Sequence, residues 1–123
     1  MDVVSALETS LGAELLRAEL LGGRRPRIAR RYVVERLLGR GAMGLVVAAV
    51  DERLGRPVAL KLSPSDSNSS NLEEARALAR LDDHPNVVRV FDVEITEASF
   101  EGMDFSLLVI SMQLVAGVSL RAW

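Results

Sequence analysis

The segment Leu38-Gly39-Arg40-Gly41-Ala42-Met43-Gly44-Leu45-Val46 carries three glycines in the pattern G-x-G-x-x-G-x-V. Glycines at these spacings let backbone N–H groups approach phosphate oxygens closely, because no β-carbon stands between them. Taken alone, the pattern is weak evidence, since a glycine-rich turn between two strands is more often only a turn. It therefore predicts a turn and raises a phosphate-binding hypothesis that needs support from the rest of the chain.

Two other kinds of phosphate loop do not fit the residues that follow the glycines. A Rossmann loop requires a helix directly after them, whereas residues 45–50 are apolar and rich in valine and predict a strand. A Walker A loop requires a Lys-Ser or Lys-Thr pair at that place, and neither pair occurs there. The glycines are therefore predicted to connect two strands.

Further extended runs surround the glycine segment and predict an antiparallel sheet. Valine- and leucine-rich runs at 32–38, 45–50 and 57–62 are separated by short connections, which is typical of a meander. Two later runs, at 87–93 and 106–114, are joined by a loop containing Gly102. A polar segment at 63–70 predicts a mobile loop, and the helix after it begins with Asn71 as its cap.

The amino terminus predicts an amphipathic helix, because apolar residues recur there at steps of three and four: Val4, Leu7, Leu11, Leu15 and Ala18. Gly22-Gly23 is expected to end this helix. The next eight residues contain five arginines and a proline and predict an exposed linker, with phosphate contact as the less favoured alternative. The expected organisation is a helical segment at 1–23, a linker at 24–31 and a domain at 32–123.

Composition narrows the possible functions. The chain of 123 residues has no cysteine and one histidine, so disulfides and thiolate metal sites are excluded and no metal site is expected. Its net charge of −2 gives no bulk attraction to nucleic acid or anionic lipid. No apolar run approaches the roughly 20 residues of a membrane span. We therefore expect a cytoplasmic protein with neither a nucleic-acid nor a membrane partner.

Lys61 is a second functional signal, because it is the single lysine among 15 basic residues. A compact ammonium suits a point contact with phosphate oxygens, which the planar fork of arginine does not reproduce. Glu74 can supply the balancing carboxylate, in addition to completing a capping box with Asn71. The alternative for Lys61 is a charge at the end of an edge strand that reaches water.

Four motifs occur in an order that resembles the N-terminal lobe of bacterial Hanks-type serine/threonine protein kinases. They are the glycine segment, Val58-Ala59-Leu60-Lys61, the helix beginning Glu73-Glu74-Ala75, and His84-Pro85-Asn86-Val87-Val88. The resemblance spans about residues 31 to 121. It implies an α+β fold with a five-stranded antiparallel sheet and one αC-type helix, here preceded by an extra amphipathic helix.

The resemblance also implies ATP as the ligand. In the family, the three glycines Gly39, Gly41 and Gly44 would cover the phosphates, and Lys61 would bind the α- and β-phosphates while paired with Glu74. The residues implied around the adenine are Leu38, Val46, Ala59, the gatekeeper Met112, and the backbones of Gln113 and Val115. Gln113 departs from the glutamate usual in the family, and the connection between Lys61 and Glu74 is shorter than usual.

No H-R-D, D-F-G or A-P-E motif occurs in the sequence, so the catalytic aspartate and the Mg²⁺ ligands are missing. The expectation is the ATP-binding portion of a kinase, inactive alone, with Mg²⁺ bound only when a C-terminal lobe is present. The alternative is a non-catalytic, kinase-like interaction module. Such a module would bind another kinase or a regulator through the surface facing a C-terminal lobe or through the amino-terminal helix.

Overall fold

The computed structural model describes residues 3–41, 44–65, 89–100 and 102–114. These residues form one helix and six strands: α1 (Val3–Leu21), β1 (Arg27–Ile28), β2 (Tyr32–Gly41), β3 (Gly44–Asp51), β4 (Arg56–Ser65), β5 (Val90–Phe100) and β6 (Met103–Gln113). All strands pair antiparallel in one sheet of order β1-β2-β3-β4-β6-β5. The predicted αC-type helix and Glu74 lie outside the described residues, as does Val115.

The sheet has six strands, which corrects the expected number of five. The additional strand is β1, where Arg27 pairs with Val33 and Ile28 pairs with Tyr32. It lies in the arginine-rich segment that the sequence predicts to be an exposed linker, yet only 3% of Ile28 is exposed. Two residues cannot display a period-two alternation, so hydrophobic patterning has no means of detecting such a strand.

The β5–β6 hairpin is longer than predicted. The strands continue through the expected loop until Phe100 pairs with Met103, and Gly102 takes a positive φ of 75° in the turn. Polar residues obscured this extension in the sequence: Glu94, Thr96, Glu97, Ser99 and Asp104. Such residues are compatible with a strand at the edge of a sheet, because its side chains are only partly covered.

The hydrophobic core lies between α1 and one face of the sheet. Leu7 and Leu11 of α1 are 1% and 0% exposed, as the predicted apolar stripe requires. They pack in one cluster with sheet residues that include Val34, Leu45, Val47, Ala49, Val58, Leu60, Leu62, Leu107 and Val109. Full burial of a leucine side chain contributes about 1.5–3 kcal/mol. The helix is therefore an integral part of the fold.

The end of α1 agrees with the sequence prediction. Gly22 has a φ of +69°, and its N–H donates to the carbonyl oxygen of Ala18 at 3.0 Å. This is the left-handed closure that glycine permits at a helix terminus. No helix among the described residues combines the length and apolarity that crossing a membrane requires.

Arg31 links the end of β3 to β5, the strand at one edge of the sheet. It donates from Nε to Asp51 Oδ1 at 3.0 Å and from Nη2 to Asp51 Oδ2 at 2.8 Å, at the end of β3. Its Nη1 donates to Asp92 Oδ2 on β5 at 2.8 Å. Hydrogen bonding to Arg31 lowers the pKa of the Asp51 carboxyl below its ordinary value. The arginine-rich segment is thus fastened to the sheet by a buried, charge-assisted contact.

Candidate functional site

The glycine segment forms the connection between β2 and β3. Gly39 pairs with Val46, Arg40 pairs with Leu45, and Gly41 pairs with Gly44. A strand therefore follows the glycines, as the sequence predicts, and the helix that a Rossmann loop needs is not there. Leu38 lies at an irregularity of β2, where the register shifts between Leu37 and Gly39.

Two of the glycines stand in different surroundings. A β-carbon on Gly44 would lie 2.2 Å from the carbonyl oxygen of Leu62 and 2.9 Å from Ser63 Oγ, so β4 leaves no room for a side chain. A β-carbon on Gly39 would meet no heavy atom within 4 Å. Packing therefore requires glycine at position 44, whereas at position 39 the missing side chain leaves open space.

The antiparallel register brings the predicted site residues together. Two cross-strand rows of directly paired residues contain five of them, Gly39, Val46, Lys61, Ala59 and Met112. The first row is Gly39, Val46, Lys61 and Ile110, and the second is Ala48, Ala59 and Met112. Directly paired residues share a face, and so do residues two apart on a strand. Both rows therefore lie on one face, which we call the lysine face. The intervening residues Val47, Leu60 and Val109 belong to the face that α1 covers.

Burial differs along the lysine face. Ala59 and Met112 are 1% and 3% exposed, and Ala48 is equally buried at 3%. Val46 and Lys61 are half-buried. Small side chains thus meet at the middle of the sheet, with a cation on the neighbouring row toward the glycine segment. The pairing of Lys61 with Glu74 stays a prediction, because Glu74 lies outside the described residues.

Gln113 is the last residue of β6 and directly follows Met112 of the lysine face. Its side chain is exposed, and its backbone N–H donates to the carbonyl oxygen of Arg89 at 2.8 Å. That N–H is therefore engaged within the protein. The prediction that the Gln113 backbone contacts a ligand therefore depends on its carbonyl group.

Arg40 links the glycine segment to α1, a contact that the sequence interpretation missed. Its Nη2 donates to Ser5 Oγ at 2.7 Å, and its Nη1 donates to Glu8 Oε1 at 3.2 Å. The partners stand 35 and 32 residues earlier in the chain, so no local pattern could have revealed the contact. Because Arg40 pairs with the core residue Leu45, it belongs to the α1-covered face and not to the lysine face.

Comparison with known proteins identifies relatives among bacterial kinases. The chain is 37% identical to the serine/threonine-protein kinase PknA of Mycobacterium tuberculosis over 100 residues, which are 77% of this chain and 22% of PknA. It is 37% identical to the probable serine/threonine-protein kinase PknB of Bifidobacterium longum over 98 residues, which are 74% of this chain and 14% of PknB.

A third relative is the DNA damage-responsive serine/threonine-protein kinase RqkA of Deinococcus radiodurans. It is 46% identical over 70 residues, which are 54% of this chain and 10% of RqkA. No protein-family model matches the chain. The chain spans less than a quarter of the length of these three relatives. It is therefore a homologue of the bacterial Hanks-type serine/threonine-protein kinases, consistent with their N-terminal lobe.

Proposed function

We propose that the chain is the ATP-binding portion of a serine/threonine protein kinase and that ATP binds on the lysine face. One observation carries this proposal. The register of β2, β3, β4 and β6 unites Gly39, Val46, Ala59, Lys61 and Met112 on the face opposite α1. These residues come from separate parts of the sequence, and kinase homology supports the roles that the family gives them.

In this proposal each side chain has a defined task. The phosphates lie against the glycine segment, where Gly39 leaves space for a close approach. The ammonium of Lys61 neutralises the α- and β-phosphates as a point charge, and Glu74 orients it. Val46 and Ala59 contact one side of the adenine. No residue of this chain is assigned to hold Mg²⁺, whose ligands are expected in a C-terminal lobe.

Other groups complete the proposed adenine pocket. Leu38 lies at the irregularity of β2 and closes over the base, while Met112 lies at the buried back of the pocket. The carbonyl group of Gln113 and the backbone of Val115 provide the hinge contacts. The proposed parent reaction transfers the γ-phosphate of ATP to a protein serine or threonine. The chain by itself is expected to transfer none, and its expected cytoplasmic location stays a prediction.

The alternative is a non-catalytic interaction module that binds another kinase or a regulator. Exposed leucines near the end of α1 favour it, since 56% of Leu16, 70% of Leu20 and 78% of Leu21 is accessible. Apolar side chains grouped in this way are suited to protein contacts. This alternative requires neither ATP nor Lys61, so nucleotide binding separates the two proposals.

The test is a titration of the full chain with Mg²⁺-ATP, followed by thermal unfolding. A ligand at 100 times its dissociation constant stabilises a protein by about 2.7 kcal/mol, so binding raises the unfolding midpoint. We expect the rise in the wild type and in the control Arg53→Ala, whose side chain is exposed in the β3–β4 turn. We expect little or no rise in Lys61→Ala. An absent shift in the wild type, or an equal one in Lys61→Ala, refutes the ATP site.

A further inference from the structure

We propose that α1 positions the glycine segment for nucleotide binding, with Ser5 and Glu8 as positioning residues that act through Arg40. This inference rests on the proposed function, because it assigns a role to α1 in the same nucleotide site. It concerns a helix outside the region of kinase resemblance.

Arg40 stands between Gly39 and Gly41, so its own backbone is part of the glycine segment. Its guanidinium contacts Ser5 Oγ at 2.7 Å and Glu8 Oε1 at 3.2 Å through different nitrogens. Ser5 and Glu8 are three residues apart and are therefore neighbours on one surface of α1. Two contacts to one planar group fix its orientation as well as its distance from the helix.

The α1 residues that contact Arg40 are held firmly in place. Leu7 and Leu11 are fully buried in the core and adjoin the turn that carries Ser5 and Glu8. The other side of the segment is held as well, because Gly44 lies directly against the backbone of Leu62. The glycine segment is thus anchored on α1 before its turn and on β4 after it.

The contact between Arg40 and α1 and the proposed nucleotide lie on opposite faces of the same strands. Arg40 belongs to the face that α1 covers, whereas Gly39 and Lys61 belong to the lysine face. Glycine has unusually large backbone freedom, and ordering such a segment upon binding costs conformational entropy. A contact that orders the segment beforehand lowers this cost and strengthens binding. By reciprocity, the bound nucleotide then favours docking of α1.

The size of the effect follows from the exposure of the pair. The side chains of Arg40 and Glu8 are 42% and 37% exposed, and exposed ion pairs contribute modestly to stability. The double variant Ser5→Ala/Glu8→Gln is therefore expected to weaken Mg²⁺-ATP binding by about two- to five-fold. Its unfolding midpoint should stay near that of the wild type, since Leu7 and Leu11 are unchanged.

The first measurement is hydrogen–deuterium exchange of the full chain without nucleotide. We expect the amides of residues 39–41 and 44–46 to exchange faster in the Ser5→Ala/Glu8→Gln variant than in the wild type. The charge exchange Glu8→Arg with Arg40→Glu rebuilds the ion pair in the opposite sense and should restore much of the protection. The second measurement is the Mg²⁺-ATP dissociation constant of the same proteins.

Glu35→Gln is the matched control, because it removes another exposed ion pair, between Glu35 and Arg25 at 3.4 Å, without touching α1. Unchanged exchange in the Ser5→Ala/Glu8→Gln variant, or an equal change in Glu35→Gln, overturns the inference. So does an unchanged ATP affinity in the double variant when the wild type binds. If the wild type binds no nucleotide, the proposed function fails, and exchange alone then decides whether α1 holds the segment.

Discussion

The two hairpins at the ends of β2 are built by opposite means. In the β1–β2 turn, Ala29 and Arg30 have φ values of 56° and 53°, and the Arg31 N–H donates to the carbonyl oxygen of Ile28 at 3.1 Å. Two consecutive positive φ angles are typical of a type I′ turn, in which Asn-Gly is strongly preferred. The β2–β3 connection contains three glycines, yet neither Gly39 nor Gly44 has a positive φ.

The two hairpins depend on different kinds of contact. Left-handed backbone at a residue other than glycine is unfavourable, so the β1–β2 turn must be held by contacts made elsewhere. Buried Ile28 and the contacts of Arg31 with Asp51 and Asp92 supply them. In the glycine hairpin, close backbone packing accounts for Gly44 but not for Gly39. The open space at Gly39 is what the proposed nucleotide site uses.

The largest expected effect comes from breaking the buried pair behind the β1–β2 turn. Asp51→Asn leaves the buried Arg31 without its two-contact carboxylate, and loss of one partner from a buried pair typically costs about 3–5 kcal/mol. Urea unfolding of the full chain measures the loss. Glu52→Gln, which removes the exposed pair with Arg27, should cost less than about 1 kcal/mol. Comparable losses in both variants would contradict the assignment.

The same pair predicts a dependence of stability on pH. Arg31 lowers the pKa of the Asp51 carboxyl in the folded state. The Arg31–Asp51 pair therefore makes its full contribution to the free energy of unfolding at pH values above the ordinary aspartate pKa of about 3.9. It is lost as the pH falls through the lowered folded value, because the protonated carboxyl no longer pairs with Arg31. The free energy of unfolding should therefore drop more steeply below about pH 4 in the wild type than in Asp51→Asn. Parallel profiles would be evidence against the linkage.

A smaller effect is expected from adding a methyl group to the glycine hairpin. Gly44→Ala forces β3 away from the Leu62 carbonyl and should cost about 1–3 kcal/mol, the usual range for overpacking. Gly39→Ala should leave stability unchanged or raise it by about 0.5 kcal/mol, since alanine has less backbone freedom to lose. It should nevertheless weaken Mg²⁺-ATP binding. Equal stabilities of the two variants would refute the packing difference.

A gain of stability is expected from changing the β1–β2 turn. Replacing Ala29-Arg30 by Asn-Gly supplies residues that accept positive φ, so the free energy of unfolding should rise by about 1 kcal/mol. Thermal unfolding of Ala29→Asn/Arg30→Gly measures the gain. Ala98→Asn/Ser99→Gly, in strand β5, is a control that should give none. A loss of stability in the turn variant would show that the turn does not carry this strain.

Local patterns in the sequence predicted much of this molecule. Spacing of leucines located α1, and runs of valine and leucine located five of the strands, because core-facing residues repeat with the period of their element. Residue type and spacing point to the glycines and Lys61, whose role in phosphate binding stays a prediction. The strand register then places Gly39, Val46 and Lys61 in one cross-strand row.

Other features depend on contacts between distant residues, which no local pattern encodes. In the sequence, Arg31 is not distinguishable from the other arginines of its basic segment. Only folding brings it to Asp51, 20 residues away, and to Asp92, 61 residues away. Arg40 likewise meets Ser5 and Glu8 only after α1 packs on the sheet. The sequence by itself therefore predicts which residues bind phosphate. The tertiary structure decided what holds them in place, because long-range packing selects the partner of each charged side chain.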